Sequence, residues 1–92
     1  MSSKKASFWN VGDCVFIRTV TLYYVGRVVG FSDTEILLEE ASWIADTGRF
    51  MQALATGSLS EVEPYPEGIV CVNRTAIIDA SKWLHALPRT QK

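Results

Sequence analysis

The chain has 92 residues, so it supports one core, and a domain of this size hides only about 60–65% of the surface its unfolded chain exposes. Nine Lys and Arg against ten Asp and Glu give a formal charge of −1, which excludes global steering toward phosphate and leaves a nucleic acid only a local basic patch. Apolar residues make up 48% and aromatic residues 11%, more than a small barrel hides, so self-association is expected.

Residues 1–10 read as a loose N-terminal segment ahead of one domain over residues 11–88. No apolar run there is long enough for a signal peptide, and no segment approaches the roughly 20 apolar residues that cross a bilayer. A cytoplasmic, reducing location with no membrane partner is the expectation. Val11-Gly12-Asp13 is a turn signal. Residues 14–20 are dense in β-branched and aromatic residues with no helical period, which predicts a strand. Residues 22–31 predict a second strand, in which Gly26 and Gly30 mark a bend, a bulge or a close backbone approach.

Ser32-Asp33-Thr34 is a short polar turn, and residues 35–44 predict a third strand. Glu, Leu and Ala there would also suit a helix, but the tight turn before them makes an antiparallel meander the simplest continuation. Phe50, Met51 and Leu54 share one face of a short helical insertion near residues 47–56, ended by Gly57. Residues 58–67, with Pro64 and Pro66, form an extended connector or an edge strand. Strands at residues 69–72 and 75–78 flank a turn at Asn73-Arg74, and Asp79 or Ser81 caps a final short helix that Pro88 closes. The fold class expected is all-β: a small five-stranded antiparallel barrel with two short helical pieces.

Tyr24, Gly26, Val28 and Phe31, followed by Leu38-Glu39-Glu40-Ala41, resemble the first half of an Sm-like domain. Residues 70–77 are similar in outline to that family's second motif, and SH3-like barrels share much of the same alternation. The resemblance implies a ring-forming small barrel whose RNA contacts lie in two turns, carried here by Asp33, Asn73 and Arg74. This chain departs from the pattern at both turns. Glu35 stands where an Asn is expected and adds a carboxylate that repels phosphate, and Asn73-Arg74 replaces an Arg-Gly pair, removing a permissive backbone position. The run over residues 41–50 also resembles short proteins of bacteria and their phages, a likeness that implies no activity.

No catalytic constellation emerges. His85 is the one histidine and has no partner in the local sequence, so it reads as a packing residue. Cys14 and Cys71 lie in apolar runs and read as reduced core residues, neither nucleophiles nor a disulfide. Glu39 and Glu40 are adjacent on a strand and should point to opposite faces. Asp46 and Arg49 are placed to pair across Gly48, and the sequon at residues 73–75 reads as a chance match. No metal, cofactor or small-molecule substrate is implied. Trp9, Tyr23, Trp43 and Tyr65 read as interface residues ahead of base-stacking ones. The expectation is a non-enzymatic homo-oligomeric binding module, with nucleic acid as a further ligand. The alternative is a structural or accessory domain that binds only proteins.

Overall fold

The computed structural model describes residues 7–92 of the chain. The part of the N-terminal segment over residues 1–6 lies outside the described residues. Strands β1 (Cys14–Thr19), β2 (Tyr23–Phe31) and β3 (Glu35–Asp46) form an antiparallel meander. Helix α1 (Phe50–Thr56) follows, then β4 (Glu61–Pro64), β5 (Ile69–Asn73), a 3-10 turn (Arg74–Ala76) and β6 (Ile77–Lys82). The all-β class holds, but the sheet has six strands and is not closed into a barrel. Strand order is β4-β3-β2-β1-β6, while β5 pairs with the first half of β3. Twelve-residue β3 thus forks the sheet, handing its first half to β5 and its second to β4.

Both faces of the sheet are buried. Phe16, Val25, Ile44 and Val62 send their side chains to one face, where Ala53 of α1, Leu59, Trp83 and Leu87 cover them. Val15, Ile17, Val28, Ile36 and Leu38 fill the other face together with Val72 of β5. A strand covered on both sides reads as a continuous apolar run, which is why residues 14–17 show no polar alternation. The two cores absorb much of the apolar excess. The composition therefore argues for self-association less strongly than the sequence suggested.

A bulge in β3 makes the two-sided arrangement fit. Val25 lies opposite Ser42 and Arg27 opposite Glu39, so Glu40 and Ala41 together face Gly26. Glu40 has φ 49°, a left-handed conformation uncommon for glutamate. Before the bulge, even-numbered residues (Ile36, Leu38) face the β5-side core; after it, odd-numbered Ala41 does, and Ile44 turns to the helix side. A side chain at Gly26 would crowd this crossing. A Cβ there would lie 3.2 Å from the Ala41 Cα and 3.2 Å from the Glu39 carbonyl oxygen.

Helix α1 has seven residues and no side-chain cap, so it depends on packing for its stability. Ala53 is buried and Phe50 and Leu54 pack beside it, whereas Met51, expected on that face, is 72% exposed. The Asp46 carboxylate accepts from the Gly48 amide at 2.8 Å and makes no ion pair with Arg49 among the described residues. Gly57 ends the helix at φ 82° and donates to the Ala53 carbonyl.

The C-terminal helix is absent, and β6 continues to Lys82 instead. Residues 77–82 ladder along β1, Asp79 binds Arg18, and Lys82 binds Asp13, so the extended form satisfies backbone and side chains together. The expected strand start at Thr75 is instead a 3-10 turn, because the Asn73 side chain accepts from the Thr75 amide at 2.9 Å. Beyond Lys82 the chain runs as a strap. Trp83 and Leu87 plug the helix-side core, and Lys92 exchanges two backbone hydrogen bonds with Val62 on the outer edge of β4.

Ser42 is fully buried, and its hydroxyl has no hydrogen-bond partner among the described residues. An unsatisfied buried hydroxyl costs about 1–3 kcal/mol. Ser42→Ala is therefore expected to stabilise the protein by about 1 kcal/mol, raising Tm by about 4–8 °C. A melting temperature at or below the parent's would contradict this.

Candidate functional site

The two turns singled out by the sequence do meet. The β2–β3 turn at residues 32–34 and the β5–β6 link abut, with Glu35 opposite Asn73 in the ladder. The Arg74 amide donates to the Thr34 carbonyl at 2.9 Å, and its guanidinium donates to the Ser32 carbonyl. That guanidinium also lies 5.9 Å from the centre of the Trp9 ring. The Asn73 side chain is occupied by the amide and hydroxyl of Thr75. Asp33 is exposed and makes no side-chain hydrogen bond among the described residues. Arg74 and Asn73 therefore brace the junction of the turns, while Asp33 and Glu35 give it two carboxylates.

Cys71 is exposed on β5, contrary to its expected place in the core. Val72 takes the inward position on this short strand, so its neighbour points out. The Cys71 thiol donates to Glu35 at 3.3 Å, and that hydrogen bond, with lesser burial, pushes its pKa up and leaves it a poor nucleophile. Cys14 is half-buried. His85 packs edge-on against Trp83 with ring centres 4.9 Å apart, and its Nε2–H donates to the Leu54 carbonyl at 2.7 Å. Among the described residues no group of three His, Cys, Asp or Glu side chains could hold a metal ion, and no helix is long and apolar enough to cross a membrane.

Glu39 and Glu40 do not diverge as strand alternation predicts. The bulge turns both toward Arg27, whose guanidinium binds Glu39 at 3.3 Å and also Glu40. Those hydrogen bonds, that to Glu40 first, raise the Arg27 pKa. Arg89 of the strap reaches Glu40 from the other side at 3.4 Å. Elsewhere Lys82 holds the Asp13 carboxyl below its ordinary value, and Arg18 does the same for Asp79.

Two hollows flank residues 64–66. One, of about 370 Å³, lies between the Glu39 and Glu40 bulge and the strap at Pro88 and Arg89. The other, of about 410 Å³, is lined by Trp43, Glu63, Pro64, Tyr65 and Pro66. Trp43 stands opposite Tyr24 on one side and Glu63 on the other, so the three share a face. The Tyr65 amide donates to the Ala41 carbonyl at 2.9 Å. Burial, with the nearby Tyr24 hydroxyl, raises the Tyr65 pKa. Sequence reading took residues 58–67 for an extended connector or an edge strand, and Glu61–Pro64 is an edge strand; the signal it passed over is the alternation of Glu63, Tyr65 and Glu67 with two prolines. No protein-family model, curated protein or solved structure matches this chain.

Proposed function

We propose that the chain is a non-enzymatic assembly module that binds proteins, first of all further copies of itself, through strand edges its own sheet does not use. The observation that carries this reading is β5. Its sequence Ile-Val-Cys-Val-Asn holds neither charge nor proline, and among the described residues it ladders with β3 alone. An edge of that kind is a template for another strand. β6 likewise pairs on one side, with β1, and Ile69 and Ile78 on the two strands are 57% and 55% exposed. Nucleic acid is the second reading. Arg74 beside Trp9 supports it, and the carboxylates of Asp33 and Glu35 oppose it.

Size-exclusion chromatography with light scattering tests both. A discrete oligomer with an ordinary protein spectrum is expected, and Ile69→Lys or Ile78→Lys should convert it to monomer. A parent protein that stays monomeric across a concentration series would sink the self-association reading. Co-purifying nucleic acid, removed by nuclease and lost in Arg74→Ala, would favour the second reading.

A further inference from the structure

The hollow between Trp43 and Tyr65 is lined by residues of β3, β4 and the connector after β4, none of them from β5 or β6. Its floor and walls are a tryptophan, a tyrosine and two prolines, with Tyr65 37% exposed. Its rim is acidic. Glu61 and Glu63 are exposed on one face of β4, and Glu67 follows Pro66. Among the described residues none of these three is in an ion pair, whereas Glu39 and Glu40 are held by Arg27 and Arg89. Lys92 crosses β4 by its backbone without neutralising them through an ion pair. Aromatic rings carry a negative face that attracts cations, and a carboxylate at the rim adds to that attraction and repels anions.

We propose that this hollow receives a lysine or arginine side chain from an extended segment of a partner protein. The inference rests on the reading of the chain as a protein-binding module, but on a different surface from the strand edges. The acidic rim selects a basic segment, and the Trp43 and Tyr65 rings contact the cation and its aliphatic stem.

The test is selection of random peptides displayed on phage against the whole protein, followed by binding of the enriched peptides to variants. Enriched sequences are expected to be rich in Lys and Arg. Glu63→Gln and Trp43→Ala should each weaken binding about tenfold, with circular dichroism confirming that both variants are folded. Raising ionic strength from about 0.05 M to about 0.3 M should weaken binding further. Enrichment of neutral or acidic peptides, no enrichment, or undiminished binding to Glu63→Gln would overturn the proposal. Light scattering on the same samples separates the two claims. An oligomer that ignores basic peptides sinks the hollow alone, and a monomer that binds them sinks the edge reading alone.

Discussion

Phe16→Ala is expected to destabilise the protein by about 3–5 kcal/mol, the range for removing a buried aromatic ring. Phe16 is 1% exposed at the centre of β1. Its ring lies 5.5 Å from Trp83, 5.4 Å from Tyr23 and 6.0 Å from Phe50. Those three come from the strap, from β2 and from α1, so a cavity at Phe16 withdraws support from each at once. Filling it would draw the strap, β2 or α1 inward. A domain of this length has a total stability of about 5–14 kcal/mol, so the loss takes about a fifth of it or more. Urea denaturation followed by tryptophan fluorescence measures it. A loss under about 1.5 kcal/mol would mean that the helix-side core is not packed as described.

Gly57→Ala is expected to cost about 2–4 kcal/mol through two separable effects. The first is backbone strain, because Gly57 has φ 82° where an L side chain is disfavoured. The second is a collision: a Cβ would fall 2.7 Å from the His85 Cγ and 2.9 Å from its Cβ. Neither atom is the free end of a flexible chain. The strap would have to move, and with it Trp83 and Leu87. Gly12→Ala provides the comparison, since Gly12 has φ 99° but nothing within 4 Å of the added carbon. It should show the strain alone, about 1–2 kcal/mol. Equal losses at the two glycines would show that the strap does not lie against the end of α1.

The strands were legible wherever the chain had β-branched runs bounded by turns. Residues 14–20 and 22–31 contain the strands they predict, residues 35–44 cover all but the last two residues of β3, and the short helix follows from Phe50, Leu54 and the stop at Gly57. Glu40 gave no warning. Glutamate has no preference for positive φ, and the bulge lies where Gly26 approaches Ala41 closely across the ladder. The C-terminal error had a similar cause. Asp79, Ser81, Trp83 and Leu87 suit a capped helix locally, yet Asp79 is taken by Arg18 of β1 and Trp83 by the core. Partners 61 residues away in sequence decided the matter. The structure brings the two turns carrying Asp33, Asn73 and Arg74 side by side. What the sequence could not reveal is that Arg74 would be spent on a neighbouring carbonyl. The hollow at Trp43 stayed hidden because its residues come from β3, β4 and the connector after β4, and only the register aligns them.

The bulge at Glu40 and Ala41 has a consequence for how this sequence can change over generations. β3 is two reading frames joined end to end, the first placing even residues and the second odd residues against the same core. Gaining or losing one residue within either half would exchange the contents of the two cores, sending Ile36 or Ile44 to the wrong side. At the joint, an added or lost residue falls where the count is already irregular. Length variation in β3 among descendants of this chain should therefore collect at that point, and the frames on either side should drift in composition while keeping their phase.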